Sequence, residues 1–375
     1  MRTKSIVTIL FLLFTNVYSS FFYEGNLHYE LESIKANRYK FKDDSQNLAT
    51  FYSTFGYEFL TKDDKWAFEF EMRANFKLQK QNYQTPFYRK KYPTNSEKNL
   101  FVSMALVDYY GENYAFSVGR NIIDLNWLSG SVDSITAYAI NEIVQIRAFW
   151  ILNYYDFNYN YYIKYQNINN NRGIGGIYLK NSKPLNDFDI EAYFYSAFDD
   201  QFLTGIKFYK TLKTFDIQGS FSLSDRNNKQ ESFLEFSINK NLKDIHNIEF
   251  GYSKTSDSGL DSMLKFGSYP FSKFYLSNSL DRSDAQNIYL QYSFESDKFF
   301  INSIAGVTSY MGKYVKSLND ISDQKLSSYE IDLTLGYKIS NNLSLTLGYM
   351  ILDLDEKDSL EFDQDLALIT LSMEL

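Results

Sequence analysis

The chain has 375 residues, a net charge of −8 and no cysteine. The acidic balance argues against nucleic acid as a partner, and a chain without cysteine contains no disulfide. Aromatic residues are abundant, with 33 tyrosines and 33 phenylalanines, whereas proline occurs only four times. A polar chain so rich in aromatics is typical of a membrane β-barrel, in which half of each strand faces water and aromatic girdles mark both interfaces.

The N-terminus has the layout of a secretory signal peptide. Arg2 and Lys4 precede an apolar run over residues 5–14, which is short for a spanning helix. We predict cleavage between Ser19 and Ser20, so that residues 1–19 are a signal peptide and residues 20–375 form a single domain. The alternative is a buried N-terminal helix. No later segment is long and apolar enough to suggest a transmembrane helix.

Residues 66–78 alternate between apolar and polar side chains, and a strand points successive side chains to opposite faces. One face carries the apolar residues Trp66, Phe68, Phe70, Met72 and Phe76. The other carries the polar residues Glu69, Glu71, Arg73, Asn75 and Lys77. An arginine or lysine on the lipid face of a barrel costs about 2–4 kcal/mol at the bilayer midplane. We therefore predict that the apolar face contacts lipid and that the charged face lines a lumen.

The same alternation continues along the chain, and no segment shows a helical period of comparable strength. We predict eighteen strands, within a range of 16–20, and regard residues 261–280 as the place for a missed pair. The predicted strands are 22–32, 49–61, 65–78, 99–110, 114–121, 131–140, 143–152, 172–180, 188–197, 202–210, 213–223, 231–239, 245–253, 286–295, 298–309, 327–339, 343–353 and 365–375.

The connections between these strands alternate in length. Tight turns are predicted at residues 62–64, 112–113, 141–142, 211–212 and 340–342. Long polar connections are predicted at 33–48, 79–98, 153–171, 254–285, 310–326 and 354–364. This asymmetry favours an all-β fold, a transmembrane antiparallel β-barrel with short periplasmic turns and long extracellular loops. A soluble β-sandwich is the alternative, but the chain offers no break between two domains, and closure of a barrel removes the edge strands.

Residues 118–128 read Val-Gly-Arg-Asn-Ile-Ile-Asp-Leu-Asn-Trp-Leu. This stretch resembles the Gly-Arg-Gln-x-Ile-Asp-Leu-x-Trp-Leu motif of OprD-like outer-membrane porins, with Asn121 where the family usually has Gln. The closing hairpin and the C-terminal strand are similar too, although the chain ends in Leu375 where such barrels commonly carry an aromatic residue. The resemblance implies an eighteen-strand barrel of a Gram-negative outer membrane that acts as a passive channel for small hydrophilic solutes.

Arg120 raises a question that the motif leaves open. It shares the parity of Val118, which would aim its side chain at lipid. A bulge at Gly119 would turn Arg120 inward, or the strand ends there and Arg120 lies near the mouth. A rim arginine paired with Asp124 is an equally good interpretation.

The predicted lumen wall is acidic. Its charged residues are Glu30, Glu58, Glu69, Glu71, Arg73, Lys77, Arg147, Asp189, Glu191, Lys207, Asp216, Glu235, Glu249, Glu330, Asp332 and Lys338. Because rings of acids favour cations in a pore, we predict a weakly cation-preferring porin. The basic segment Arg89, Lys90 and Lys91 would reverse this preference if it lined a constriction. We place these three residues, with Arg120 and Asp124, at a possible constriction or mouth.

The chain offers little for catalysis. It has two histidines, His28 and His246, and no cluster of residues with metal-ligand spacing. We therefore predict no enzymatic activity, no cofactor and no metal. Outer-membrane lipid, lipopolysaccharide and small hydrophilic solutes are the expected partners. Others are a possible homotrimer and the barrel-assembly machinery, acting through the C-terminal strand. A selective carbohydrate or organic-acid channel, with Tyr193, Tyr195 and Tyr209 as its aromatic track, and a surface adhesin or receptor are the alternative functions.

Overall fold

A computed structural model describes residues 18–35, 44–81, 100–157, 162–165, 172–185, 187–197, 201–226, 229–243, 245–260, 282–317, 320–355 and 363–374. Nineteen strands lie in these ranges and form one sheet. They are β1 Tyr18–Lys35, β2 Asp44–Leu60, β3 Trp66–Gln81, β4 Leu100–Tyr110, β5 Tyr114–Leu125, β6 Leu128–Ile140, β7 Val144–Phe157, β8 Tyr162–Tyr165, β9 Ile174–Asn181, β10 Phe188–Ser196, β11 Gln201–Thr211, β12 Asp216–Arg226, β13 Lys229–Leu242, β14 His246–Thr255, β15 Ser283–Glu295, β16 Phe299–Ser317, β17 Asp320–Ser340, β18 Leu343–Leu354 and β19 Asp363–Glu374.

Each strand pairs antiparallel with its neighbour along the chain, apart from the short β8, which pairs with β7 while β7 continues its pairing with β9. β1 pairs with β2 on one side and with β19 on the other. The ladder therefore returns to its starting strand through eighteen strands. The predicted all-β fold is confirmed. Among the described residues, no helix is long and apolar enough to cross a bilayer.

The two faces of the sheet differ sharply in burial, as β13 illustrates. Leu234, Phe236 and Ile238 are exposed, whereas Glu231 and Glu235, which alternate with them, are buried. A water-soluble sheet would show the opposite pattern, because buried acids need partners and exposed apolar rows aggregate. The apolar side chains thus cover the outside of the barrel and the acids line its inside.

The structure corrects several predicted boundaries. The predicted loop 310–326 is wrong, because β16 extends to Ser317 and β17 begins at Asp320. The short β8 lies within the predicted connection 153–171. β1 begins at Tyr18, before the predicted cleavage between Ser19 and Ser20, and the cleavage itself stays a prediction. The extension of β16 and β17 arises where polar residues continue an extended ladder, since composition alone does not distinguish such strands from loops.

Candidate functional site

The hairpin formed by residues 120–133, which we call the lumen hairpin, leaves the barrel wall. β5 pairs with β4 only from Ala115 to Arg120, yet it pairs with β6 all the way to its tip, where Leu125 faces Leu128. β6 in turn remains paired with β7 up to Ser131. Beyond Arg120 the backbone ladder of the hairpin therefore joins the wall on one side only, through β6 and β7.

Gly119 is the point at which β5 turns away from β4. Its φ of 132° lies in a region that side-chain-bearing residues rarely adopt. A Cβ atom at this position would lie 2.3 Å from the backbone oxygen of Ala105 on β4. Glycine is required here because both the backbone conformation and the close approach of β4 exclude a side chain.

The tip of the lumen hairpin contacts the inner face of distant strands. The indole Nε1 of Trp127 donates to Ser222 Oγ on β12 at 2.8 Å, and its ring meets Phe233 of β13 edge-on at 5.5 Å between centroids. Asn126 Nδ2 donates to Glu191 Oε2 on β10 at 3.1 Å. Ser222 lies between the exposed Phe221 and Leu223, so it points inward. The tip therefore lies inside the barrel.

An apolar cluster fills the space between the lumen hairpin and this part of the wall. Trp127, Leu128 and Val132 of the hairpin are completely buried. They pack with buried side chains from β7, β9, β10, β11 and β13, namely Phe149, Ile151, Tyr154, Ile174, Tyr193, Tyr195, Leu203 and Phe233. Because these side chains share one continuous core inside the barrel, the hairpin closes this side of the lumen and narrows the remaining passage.

Arg120 anchors the base of the lumen hairpin. Its Nε lies 2.8 Å from Asp133 Oδ1 on β6, and its Nη1 donates to the Val102 oxygen on β4 at 2.8 Å. The guanidinium carbon lies 3.9 Å from the ring centroid of Tyr155. The predicted alternative, a pair with Asp124, is wrong, since Asp133 is the acidic partner. Arg120 keeps the parity of the outward-facing Val118, but the inward turn of the hairpin removes it from the outer surface.

Asp133 is the centre of this anchor. Besides Arg120, it accepts hydrogen bonds from Asn153 Nδ2 at 2.9 Å and from the Tyr155 hydroxyl at 2.6 Å. A second connection lies beside it, because Ser131 Oγ donates to the Ser103 oxygen of β4 at 2.8 Å. Side chains of the hairpin thus bind the β4 carbonyl groups at the level where the β4–β5 ladder has ended.

Away from the lumen hairpin, the inner wall carries buried acids with polar partners. On β3, Glu71 pairs with Arg73, whose Nε lies 2.7 Å from Glu71 Oε1, and it accepts a hydrogen bond from Ser103. On the opposite wall, the Tyr289 hydroxyl donates to Glu249 Oε1 at 3.0 Å and lies 3.4 Å from Glu235 Oε1. These buried carboxylates thus have a cationic partner or hydrogen-bond donors within the wall, as buried acids require.

The structure places most predicted lumen charges on the inward parity of their strands. These are Glu58, Glu69, Glu71, Arg73, Arg147, Asp189, Glu191, Lys207, Asp216, Glu235, Glu249, Glu330, Asp332 and Lys338. The side chains of Glu30 and Lys77 lie outside the described residues, as does the basic segment Arg89, Lys90 and Lys91. Asp124 is exposed on the lumen hairpin. The part each residue plays in permeation stays a prediction.

Two of the three tyrosines proposed as an aromatic track are covered by the lumen hairpin. Tyr193 and Tyr195 stack at 5.2 Å between centroids and are buried in the apolar cluster, whereas Tyr209 is partly exposed. His246 is the first residue of β14, and its Nδ1 is 2.9 Å from the Tyr292 hydroxyl. Within the described ranges, no three His, Asp or Glu side chains could hold a metal ion together.

Comparisons with known proteins agree with this geometry. No family model and no curated protein sequence matches the chain. Three similar solved structures are Acinetobacter baumannii OccAB4, Pseudomonas aeruginosa OpdO and Pseudomonas aeruginosa OccK8 (OprE). Their sequence identities to the chain are 13%, 10% and 12%, with TM-scores of 0.67, 0.70 and 0.68. Each covers 95% of this chain, and this chain covers 98%, 97% and 98% of them. The chain therefore has the OprD-like barrel fold that its sequence motif implies.

Proposed function

We propose that the protein is a porin of the bacterial outer membrane, through which small hydrophilic solutes or ions diffuse passively. The observation that supports this proposal is a barrel with an apolar outer surface and a polar inner wall, whose lumen is narrowed by a hairpin. An apolar exterior suits a bilayer, and a polar interior suits a water-filled passage. The OprD-like fold supports this location and this class of function.

A weak preference for cations follows from the charges that face the lumen. Glu71, Glu235 and Glu249 lie on the inner wall with the geometry described above, and acids outnumber bases among the inward-facing residues. Rings of acidic side chains lower the energy of a cation in a pore and raise that of an anion. We therefore expect the open passage beside the lumen hairpin to favour cations.

A substrate-selective channel is the second candidate, and the lumen hairpin favours it. A hairpin packed against one half of the wall leaves a narrow passage, and narrow passages discriminate among solutes by size and polarity. Of the aromatic track predicted for such a channel, Tyr193 and Tyr195 do not face the open passage, because the hairpin covers them.

Single-channel recording of the refolded protein in a planar bilayer tests the proposal. Discrete current steps under a potassium chloride gradient would establish a pore, and the sign of the reversal potential would report its charge preference. A cation-selective reversal potential is the expected result. A folded barrel that never conducts would overturn the porin proposal, and an anion-selective one would overturn the cation preference alone.

A further inference from the structure

We propose that Arg120 is a positioning residue that fixes the angle of the lumen hairpin and thereby sets the opening of the pore. The proposal rests on the proposed function where it concerns conductance. Arg120 lies at the base of the hairpin, whereas the part that narrows the lumen is the tip around Trp127. The argument starts from the way in which the hairpin is attached to the wall.

The backbone alone holds the lumen hairpin weakly. Its ladder to β4 ends at Arg120, one residue after the left-handed Gly119. About seven residues separate Arg120 from Trp127, which corresponds to roughly 23 Å of extended strand. Over such a lever, a change of about 10° at the base would displace the tip by roughly 4 Å, comparable to the width of one strand.

Arg120 joins the hairpin to both flanking parts of the wall. Its guanidinium binds Asp133 within the hairpin, the Val102 oxygen on β4 and the Tyr155 ring on β7. A planar guanidinium with several donors in fixed directions is suited to such a three-way junction. The side chains of Arg120 and Asp133 are only 21% and 26% exposed, so their interaction is less screened than that of a surface pair.

The anchor and the tip are separate sets of contacts. The anchor contains Arg120, Asp133, Asn153 and Tyr155, whereas the tip relies on Trp127 and the apolar cluster. Either set could in principle determine where the hairpin lies. If the anchor sets the angle, loss of Arg120 will move a tip that it does not touch.

Tryptophan fluorescence measures the position of the tip without reference to conduction. The chain has three tryptophans, of which Trp66 and Trp150 are exposed on the outer face and Trp127 is completely buried. Substitution of Trp66 and Trp150 by Phe leaves Trp127 as the sole reporter. In the refolded protein in detergent, Trp127 should be shielded from acrylamide.

The test introduces Arg120→Met, and separately the paired change Arg120→Met with Asp133→Asn, which removes the charge of both partners. We expect Trp127 to become accessible to acrylamide in both variants. We also expect the occupancy of a higher-conductance level to rise about tenfold, equivalent to about 1.4 kcal/mol. Arg73→Met is the matched control for shielding, because it removes a lumen guanidinium whose ion pair, with Glu71, lies within β3.

The outcomes separate the two proposals. If Trp127 stays shielded in the paired variant, the tip contacts hold the hairpin by themselves and the positioning role of Arg120 is wrong. If the parent protein does not conduct, the porin proposal fails, while the fluorescence result still decides the role of Arg120. Should Arg120→Met fail to fold, the neutral pair provides the decision.

Discussion

Trp127 Nε1 donates to Ser222 Oγ on β12 over 2.8 Å, although the two residues are 95 positions apart in sequence. Ser222 also lies 2.7 Å from the Tyr193 hydroxyl, so one serine links the tip of the lumen hairpin to two strands of the wall. The hydrogen bond fixes the orientation of the indole within the apolar cluster. Trp127 thus joins the tip of the hairpin to the wall by both a hydrogen bond and apolar packing.

Substitution Trp127→Ala should release the tip and widen the passage. The truncation of a fully buried aromatic side chain typically costs about 3–5 kcal/mol in packing. The expected result is a larger single-channel conductance with more frequent transitions between levels. Trp150→Ala, on the outer face, is the matched control and should leave the conductance unchanged. An unaltered conductance in Trp127→Ala would show that the hairpin does not limit the pore.

Substitution Ser222→Ala should weaken the attachment of the hairpin tip to β12 and leave the side chains of the tip unchanged. The buried indole N–H would then lack this acceptor, a loss of about 1–3 kcal/mol for a buried donor. In the Trp66→Phe and Trp150→Phe background, we expect greater quenching of Trp127 by acrylamide. Ser224→Ala, two residues along the same inward face, is the control and should not alter quenching.

The paired substitution Glu235→Gln with Glu249→Gln should reduce the cation preference of the pore. Both side chains face the lumen beside the Tyr289 hydroxyl, and removal of their charge weakens the attraction for cations. The measurement is the reversal potential under a salt gradient, which should move toward zero. Glu142→Gln, on an exposed turn, removes a charge outside the lumen and should leave the potential unchanged. If the reversal potential shifts equally in the double variant and in Glu142→Gln, the acids of the inner wall do not set the cation preference.

A charge on the outside of the barrel should be far more damaging than the same charge on the inside. Leu290 is exposed on the outer face, and Leu290→Arg should lower the free energy of unfolding by about 2–4 kcal/mol in a bilayer. Gln291→Arg places the same residue on the inward side of the same strand. Urea unfolding in liposomes should show the loss only for Leu290→Arg. Equal losses would argue that the two faces have been assigned wrongly.

Substitution Gly119→Ala should disturb the point where β5 leaves β4. The added Cβ would meet a backbone oxygen at 2.3 Å in a conformation disfavoured for alanine, and such strain costs about 1–3 kcal/mol. We expect an altered conductance and reduced shielding of Trp127. Gly348→Ala is the control, because its new Cβ would first meet the flexible end of Met350 at 3.0 Å. Normal behaviour of Gly119→Ala would mean that the turn does not depend on glycine.

The strands of the barrel wall could be predicted because lipid and water impose opposite demands on alternate residues. Residues such as Phe236 and Glu235 follow this rule, so the count of eighteen strands in the closed ladder agrees with the prediction. The rule fails where neither face contacts lipid. Within the lumen hairpin, Ile123, Trp127 and Leu128 are all buried, although Leu128 has the opposite parity to the other two. Apolar residues there therefore do not indicate which face points outward.

The anchor of the lumen hairpin could not be predicted from local spacing. Arg120 has the parity of Val118, which indicated lipid, a bulge or a rim position, and Asp124 was the nearest acid in sequence. The partner is Asp133, which lies opposite Arg120 across the hairpin. A two-residue turn at Asn126 and Trp127 fixes the register of the hairpin and places Arg120 opposite Asp133. The pair follows only once the hairpin is known to extend to residues 125 and 128.

The ladder between β1 and β19 joins the two ends of the described chain, with Glu24 facing Glu374. No part of this ladder can form until nearly all of the polypeptide has been synthesised, so closure is a late event with a very high contact order. Until then β1 and β19 each present an open edge of backbone donors and acceptors, which favours pairing with other chains. The expected penalty for changes in these two strands is therefore aggregation during assembly, even where the finished barrel would tolerate them.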